Sequence, residues 1–245
     1  MHVETLEEAL LPFREDELLE EVVSIVKSGK EAVVYCCRGG PKAPAELVAA
    51  KVYKPRAFRS FRNDAVYTEG RVVLNRRDAR AIAKRTEHGQ GVRNALWTNH
   101  EYDVLRRLHA SGADVPRPFA RSSGALLMEF IGSADEGAAP LLKSVELSHA
   151  DAEAAYARIL ENIQIWLYAY VVHGDLSPYN VLYWADRPVA IDFPQAVDPR
   201  FNLNAYSLLQ RDLDNIGRFF ARFGIDNDSA ALTEQFWAAF ERPMR

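Results

Sequence analysis

A polar loop at residues 173–180 carries side chains whose types and spacing suit phosphoryl transfer. The loop contains Asp175 and, five residues later, Asn180, and Asp192 follows twelve residues beyond at the end of an apolar run. Phosphoryl transfer needs one carboxylate that orients and deprotonates the attacking hydroxyl, and two oxygen ligands for Mg²⁺ on the nucleotide phosphates. Asp175, Asn180 and Asp192 could supply these groups. The alternative is structural: Asp175 and Asn180 are turn formers, and Asp192 ends a strand.

Lys51 and Glu101 form a second candidate pair. Lys51 lies in a strand with apolar residues on both faces, where an unpaired ammonium group would be costly. Glu101 shares a helical stripe with Trp97 and Leu108, so a helix that buries this stripe also buries the carboxylate. An ion pair would compensate both groups for lost hydration and would direct the lysine at a phosphate. Alternatively, either side chain extends to water along its aliphatic stem.

The segment 28–32 links the first two predicted strands and contains Ser28 and Gly29. Backbone N–H groups in a turn of this kind can cover phosphate groups. Glycine is also common in simple hairpins, so the motif alone leaves both interpretations open.

Residues 128–131 end the last strand of the predicted sheet and include Glu129 and Ile131. Their backbone groups could form a hinge that binds an adenine ring. Without the other motifs, a simple strand end explains them equally well.

The elements that would position these residues can be predicted from hydrophobic periodicity and turn residues. Strands are predicted at 22–26, 32–37, 47–53, 118–121, 125–131, 181–184 and 188–191. Helices are predicted at about 5–20, 94–110, 148–171, 203–223 and 230–240. Strands followed by helices indicate an α+β fold with two lobes. We expect a single domain with a leading helix at 5–20, a small antiparallel-sheet N-lobe with one long helix at 21–131, and a mainly helical C-lobe at 132–245.

The charge of the chain is unevenly distributed. The whole chain of 245 residues has a formal charge of −4, whereas the basic segment 54–93 holds nine Arg and two Lys against four acidic residues. Clustered arginines give salt-dependent affinity for phosphate backbones, so this segment could bind RNA. The alternative is a solvated, partly mobile excursion with some helix.

The overall composition is that of a folded protein. A hydrophobic content of 48% excludes the disordered and collagen-like classes of protein.

The two cysteines, Cys36 and Cys37, are adjacent, so they cannot form a relaxed disulfide with each other, and a reducing compartment is expected. The N-terminus carries Glu4, Glu7 and Glu8 and does not resemble a signal peptide. The most apolar stretch, 165–172, is much shorter than a membrane span. We therefore expect a cytoplasmic protein without a membrane partner.

Over about residues 22–224, the chain closely resembles the RIO family of atypical protein kinases. The resemblance rests on an ordered set of motifs: Ser28-Gly29-Lys30-Glu31-Ala32, Ala50-Lys51-Val52-Tyr53-Lys54, Trp97 with Glu101, Leu127-Met128-Glu129-Phe130-Ile131-Gly132, Ala139-Pro140-Leu141-Leu142-Lys143, His173-Gly174-Asp175-Leu176-Ser177, Asn180, and Ile191-Asp192. It implies a protein-kinase-like fold that uses ATP and Mg²⁺.

The resemblance also implies roles for the candidate residues. Three would be catalytic: Lys51, Asp175 as the base, and Asp192. Asn180 and Asp192 would bind the metal. The nucleotide would be held by Ser28 in the loop, by Lys51 paired with Glu101, and by backbone groups of Glu129 and Ile131. Asp212 matches a position that braces the catalytic loop, so its expected role is structural support.

The sequence differs from ordinary protein kinases at several motifs, and these differences bear on how the protein would be regulated. Only Gly29 remains of the glycine-rich loop, Gly174 replaces an arginine, and Asp192 is followed by Phe193 and Pro194 instead of Phe and Gly. Little chain remains for an activation loop, so control by its phosphorylation is not expected. Some RIO proteins phosphorylate the second metal-binding aspartate, and Asp192 occupies that place, which makes its phosphorylation a secondary hypothesis.

The resemblance favours an ATP-dependent serine/threonine kinase with autophosphorylation or ATPase activity, whose protein substrate could be the chain itself. Antibiotic and choline kinases also use a His-Gly-Asp loop, so a small-molecule phosphotransferase is one alternative. An ATP-switched factor that binds RNA or a ribosomal particle through the basic segment is the other.

Overall fold

The structure is a computed structural model that describes residues 6–54 and 87–242, and for residues 87–96 it describes the main chain alone. The chain divides into two compact units. Within the described residues, the first unit comprises 6–54, 87–103 and 116–138, and the second comprises 104–115 and 139–242. The first contains an antiparallel sheet and the second is mainly helical, which confirms the predicted α+β class. The predicted lobe boundary at residues 131 and 132 stays a prediction.

The first unit is built on a five-stranded antiparallel sheet with the strand order β1-β2-β3-β5-β4. Its strands are β1 (Leu19–Ser28), β2 (Ala32–Gly39), β3 (Leu47–Tyr53), β4 (Pro118–Arg121) and β5 (Ala125–Glu129). The central strand β3 pairs with β2 on one side and with β5 on the other. The predicted strand at 125–131 is too long, because β5 ends at Glu129 and Ile131 lies beyond it.

Helix α1 (Leu6–Glu15) covers one face of this sheet. Its buried residues Leu10 and Phe13 pack in one cluster with Val48 of β3 and Leu127 of β5. The predicted helix at 5–20 was too long. The chain leaves the helix through Glu17, whose φ of 60° breaks the helical path, and the buried Leu19 already belongs to β1.

A long helix, α2 (Glu87–Ala110), follows β3 and carries Glu101. We predicted a start at Asn94, seven residues too late, because two glycines and polar residues hide the helical pattern of the first turns. The helix ends before Gly112, whose φ of 79° suits glycine at a helix terminus. The basic segment 54–93 lies almost wholly outside the described residues, and only Lys54 and the main chain of 87–93 are described.

Within its described residues, the second unit contains the end of α2, three further α-helices and one longer hairpin. The helices are α3 (His149–Tyr168), α4 (Ala205–Phe220) and α5 (Ser229–Glu241). Ser148 caps α3 by accepting a hydrogen bond from the Asp151 amide at 3.2 Å, as the sequence predicts. None of the described helices is both long enough and apolar enough to cross a membrane.

The chain also forms two short β-hairpins. The first, β6 (Gly132–Ser133) and β7 (Gly137–Ala138), follows β5 directly. The second, β8 (Val181–Trp184) and β9 (Arg187–Ala190), connects the loop at 173–180 with Asp192. Its turn contains Ala185 and Asp186, both with positive φ. The second hairpin therefore determines where Asn180 and Asp192 lie, since one residue precedes β8 and the other follows β9.

Candidate active site

Lys51 and Glu101 form a buried ion pair in the first unit. Lys51 lies on β3, opposite Val34 of β2 and Leu126 of β5, and is 7% exposed. Its Nζ atom donates hydrogen bonds of 2.8 Å and 2.9 Å to Oε1 and Oε2 of Glu101, which is 1% exposed. The predicted pair is therefore present. Neither side chain extends to water, which excludes the alternative interpretation.

The turn between β1 and β2 is fastened to the end of β3. The Gly29 amide donates to the Ala32 carbonyl at 2.9 Å, which closes the turn. Lys54 then donates from Nζ to the Gly29 carbonyl at 2.6 Å and to the Ser28 hydroxyl at 3.2 Å. Lys54 also donates its amide to the Glu31 carbonyl at 2.7 Å. The candidate phosphate loop thus has a fixed connection to the strand that carries Lys51.

The candidate hinge begins where β5 ends. The Glu129 amide donates to the Arg117 carbonyl at 2.8 Å, and its carboxylate accepts from the Arg117 amide at 3.1 Å. Within the described part of the chain, the Ile131 amide donates no main-chain hydrogen bond. Gly132 has a φ of 144°, and a side chain there would meet the Gly137 carbonyl oxygen at 2.2 Å, so the turn requires glycine. An adenine-binding role for these backbone groups remains a prediction.

In the second unit, hydrogen bonds from main-chain and side-chain groups hold the loop at 173–180 against the residue before Asp192. The Asn180 Nδ2 atom donates to the Asp175 carbonyl at 2.7 Å, which orients the amide and leaves Oδ1 as an acceptor. The Ile191 amide donates to the Asn180 carbonyl at 2.9 Å. The carbonyl of Ile191 lies 3.2 Å from Nε2 of His173. The loop and the end of the hairpin are thereby joined.

Asp212 on helix α4 braces the same loop. Its two carboxylate oxygens accept hydrogen bonds from the amides of Gly174 and Leu176 at 2.7 Å and 2.8 Å. The neighbouring Arg211 donates to the Gly174 carbonyl. Burial raises the pKa of Asp212 to about 7, although the two amide donors and Arg211 oppose this shift. The geometry agrees with the supporting role expected from the sequence.

Asp175 lies between these two anchored amides. Burial raises the pKa of the Asp175 carboxyl group, and the nearby charge of Asp192 adds to this increase. His173, Arg211 and a hydrogen bond with Asn180 act to lower the pKa, but they do not outweigh burial. A carboxylate with a raised pKa is a stronger base than an exposed aspartate. This environment suits a group that accepts a proton from a hydroxyl.

Asp192 adopts an uncommon backbone conformation, with a φ of 72°. Aspartate and asparagine tolerate this left-handed region better than most other residues. The following Phe193 is fully buried, with ring centroids 4.5 Å from His173 and 5.5 Å from Trp166. This aromatic packing fixes the chain immediately after Asp192.

The side chains of Asn180 and Asp192 are compatible with Mg²⁺ that binds together with a nucleotide. Among the described residues, no group of three or more His, Cys, Asp or Glu side chains is arranged to hold a metal ion. Asn180 and Asp192 offer two hard oxygen donors. Mg²⁺ commonly binds through one or two such side chains together with substrate phosphates and water. The residues present fit a metal that binds together with a nucleotide.

The structure divides the predicted residues between the two units. The first unit contains the Lys51–Glu101 pair and three further predicted residues: Ser28 at the end of β1, Glu129 at the end of β5, and Ile131 just beyond β5. The second unit contains Asp175, Asn180 and Asp192, connected through the loop and the second hairpin.

Sequence reasoning missed three residues that bear on these sites. Tyr53 donates a hydrogen bond to Glu101, and Lys54 binds the candidate phosphate loop. Asp114 accepts a hydrogen bond from Ala190 of β9 through its carbonyl at 2.9 Å. The alternation of Lys51 and Tyr53 along one strand could have indicated the first of these. No local pattern indicates the role of Asp114, because its partner lies far along the chain.

Comparison with known proteins identifies relatives along most of the chain. The model of the RIO domain matches residues 33–233. The chain is 35% identical over 209 residues to the RIO-type serine/threonine-protein kinase Rio1 of Haloferax volcanii, covering 85% of this chain and 66% of that protein. It is 30% identical over 206 residues to serine/threonine-protein kinase RIO1 of Caenorhabditis elegans, covering 82% of this chain and 37% of that protein. The chain thus spans about two thirds of the archaeal relative and less than half of the nematode one.

Solved structures agree with the fold. The Rio2 kinase of Chaetomium thermophilum, in a complex described with ADP, Mg²⁺ and phosphoaspartate, superimposes with a TM-score of 0.68 at 21% identity, covering 93% of this chain and 65% of that one. A second structure of Rio2 kinase from the same organism gives a TM-score of 0.69 at 23% identity, covering 93% and 66% of the two chains. These similarities confirm the predicted two-lobed, protein-kinase-like α+β fold.

Proposed function

Because this chain belongs to the RIO family, we propose that it is an ATP- and Mg²⁺-dependent serine/threonine protein kinase. The observation that carries the proposal is the buried ion pair between Lys51 and Glu101. Burying two charges costs free energy that their attraction barely offsets, so such a pair contributes little to net stability. It is readily explained when the lysine must be held in position for an anionic ligand, as the nucleotide phosphates would be.

The nucleotide-binding roles follow from residues of the first unit. Lys51 contacts the phosphates of ATP, and Glu101 fixes the direction of its ammonium group. Backbone N–H groups of the turn that contains Ser28 cover the phosphates. The backbone carbonyl of Glu129 and the amide of Ile131 bind the adenine ring, in the manner that the family resemblance implies.

The transfer step uses residues of the second unit. Asp175 orients the attacking hydroxyl and accepts its proton as the oxygen bonds to the γ-phosphorus and ADP leaves. Asn180 and Asp192 bind Mg²⁺ through their side-chain oxygens. When bound, Mg²⁺ neutralises negative charge on the phosphates and so favours the transfer. Asp212 keeps the main chain of Asp175 in place through the amides of Gly174 and Leu176.

The experiment that tests this function combines binding and turnover. The protein is incubated with γ-labelled ATP and Mg²⁺, and ADP release and phosphate incorporation into the chain are measured together. We expect Mg²⁺-dependent ADP release with labelled phosphoserine or phosphothreonine, and loss of both signals in Asp175→Asn. Absence of ATP binding by the folded protein would contradict the proposal. A hydroxyl-bearing metabolite that is phosphorylated much faster than any protein would reassign the enzyme to small-molecule phosphotransfer.

The partner of the basic segment 54–93 is a separate part of the proposal. Its nine arginines support salt-dependent contact with RNA or a ribosomal particle. Binding to a structured RNA is measured at low and at physiological salt. Affinity that falls steeply with salt supports the assignment, whereas undetectable binding at low salt removes it.

A further inference from the structure

Tyr53 is the second residue beyond Lys51 on strand β3, and it reaches the same carboxylate. Side chains two residues apart on a strand point to the same face, so both project toward helix α2 and Glu101. The Tyr53 hydroxyl donates a hydrogen bond to Oε2 of Glu101. The Lys51 ammonium lies 5.3 Å from the centroid of the Tyr53 ring, and Tyr53 is 6% exposed. Lysine, tyrosine and glutamate thus form one buried cluster.

The hydrogen bonds in this cluster place competing demands on Lys51. An ammonium group has three N–H donors, and two of them point at the oxygens of Glu101. A phosphate that binds Lys51 competes with Glu101 for the ammonium group and can draw these donors away from the carboxylate. A buried carboxylate that loses a donor is destabilised, because no water replaces the missing bond. A donor to Glu101 that stays in place when the lysine engages a nucleotide offsets this loss.

We propose that Tyr53 is a positioning residue that holds Glu101 so that Lys51 can divide its donors between the carboxylate and a nucleotide phosphate. The phenolic hydroxyl is neutral, so it stabilises Glu101 without competing with Lys51 for negative charge. Its ring is rigid and buried, so the donor does not move with the ammonium group. This inference rests on the proposed function, since it requires that Lys51 bind phosphate.

The proposal differs in one measurable respect from a purely structural role. If the hydroxyl only stabilises the fold, its removal affects all ligands of the site alike. If it prepares Lys51 for phosphate, its removal weakens ligands that carry β- and γ-phosphates and leaves adenosine binding intact. The phosphate content of the ligand is therefore the variable that separates the two roles.

The test compares Tyr53→Phe with the parental protein. This substitution retains the ring and its contact with Lys51 but removes the hydroxyl. Dissociation constants are measured by calorimetry for Mg²⁺·ATP, ADP and adenosine. We expect ATP and ADP affinities to fall by about 3- to 10-fold, which corresponds to about 0.7–1.4 kcal/mol and lies within the range for the net contribution of one hydrogen bond. The affinity for adenosine should change by less than about twofold.

Tyr35→Phe is the matched control. Tyr35 lies on the adjacent strand β2, packs against the core of the same unit, and within the described residues its hydroxyl forms no hydrogen bond. This control should leave all three dissociation constants unchanged. Melting temperatures of the ligand-free proteins verify that both variants fold.

Each remaining outcome decides the question. Unchanged ATP affinity in Tyr53→Phe, or an equal loss for ATP and adenosine, overturns the positioning role while leaving the proposed kinase function intact. Failure of the parental protein to bind ATP overturns the proposed function and this inference with it.

Discussion

The Nζ atom of Lys51 lies 2.8 Å and 2.9 Å from the two carboxylate oxygens of Glu101, although 50 residues separate them in sequence. Lys51 lies on a central strand of the sheet and Glu101 lies on helix α2. The pair therefore couples strand and helix, and each partner prevents the other from becoming an isolated buried charge.

The first prediction concerns this pair. Lys51→Met leaves the buried Glu101 carboxylate without its counter-charge, so we expect the free energy of unfolding to fall by about 3–5 kcal/mol. Adding Glu101→Gln removes the charge while keeping an oxygen acceptor for Tyr53. The double variant should therefore be more stable than Lys51→Met, and both should lack activity. Chemical denaturation measures the stabilities.

Lys27→Met is the control for that experiment, because Lys27 is an exposed lysine of the same sheet. Its effect should stay within about 0.5 kcal/mol. A double variant less stable than Lys51→Met would contradict the prediction, because it would show that the uncompensated charge of Glu101 is not what destabilises the single variant.

The second prediction separates the chemistry of Asp192 from its backbone conformation. Asp192→Ala and Asp192→Asn both remove the carboxylate, so Mg²⁺-dependent turnover should fall by at least about 100-fold in each. At a φ of 72°, alanine costs about 1–2 kcal/mol of stability, whereas asparagine tolerates this region. Asp192→Ala alone should therefore lower the unfolding free energy.

Asp186→Asn serves as the control, since Asp186 is exposed in the adjacent hairpin turn with a φ of 58°. It should retain turnover within about twofold of the parental rate. Normal Mg²⁺-dependent turnover in Asp192→Asn would count against the metal assignment.

The third prediction concerns the pH dependence of the proton acceptor. Burial raises the pKa of Asp175, so protonation, and with it loss of activity, should begin at a higher pH than for an exposed aspartate. Activity therefore falls as pH decreases through the raised pKa. Asp175→Asn should lower kcat by about 10²- to 10⁴-fold and abolish this acidic limb. Profiles of kcat/KM against pH provide the measurement.

The ionisation of Asp175 affects stability and activity in opposite directions: activity requires the ionised carboxylate, whereas its ionisation lowers the stability of the fold. The folded protein binds the proton of Asp175 more tightly than the unfolded chain does, so ionisation of this group costs stability above its ordinary pKa. Asp175→Asn should therefore be at least as stable as the parental protein at neutral pH. A strongly destabilised variant would indicate that the carboxylate has a structural role.

The fourth prediction concerns the buried Asp114 carboxylate and its hydrogen-bond partners. Its carboxylate accepts a 2.5 Å hydrogen bond from Arg158, a 2.8 Å bond from Asn162 and a further bond from Arg187 of β9. Burial acts to raise the pKa of Asp114, but these donors and charges outweigh it, so the pKa is lowered. Stability from this group is present above the ordinary aspartate pKa and is lost as pH falls through the lowered value.

We expect Asp114→Asn to cost about 1–3 kcal/mol at pH 7, and the difference from the parental protein should shrink toward pH 3. Asp103→Asn is the comparison, because Asp103 forms an exposed ion pair with Arg121 at 3.0 Å. That change should cost less than about 1 kcal/mol. Equal effects of the two substitutions, measured by denaturation across this pH range, would refute the assignment.

Parts of the site could be predicted from sequence where a residue's own chemistry requires a particular kind of partner nearby. A lysine in an apolar strand needs a counter-charge, and Glu101 was identifiable because it lies on a buried helical stripe. The capping role of Ser148 follows from three neighbouring residues. Sequence pattern placed β3 at the observed residues, because its apolar run is bounded on both sides by turn-forming or charged residues.

Other features depend on contacts that no local pattern contains. Asp114 contacts Arg158 and Arg187, which lie 44 and 73 residues away, so the sequence gives no indication of their meeting. The predicted end of α1 was wrong because Leu18 and Leu19 continue the helical spacing, whereas the sheet core recruits Leu19 instead. Tertiary packing decided both outcomes.

The Asp212 carboxylate accepts hydrogen bonds from the amides of Gly174 and Leu176, the residues immediately before and after Asp175. The main chain at Asp175 is consequently tethered on both sides to a single side chain of helix α4. A rotation or axial shift of that helix would carry the proton acceptor with it. Substitutions in the buried face of α4, remote in sequence from the loop, would therefore reduce the transfer rate without touching ATP or the acceptor hydroxyl.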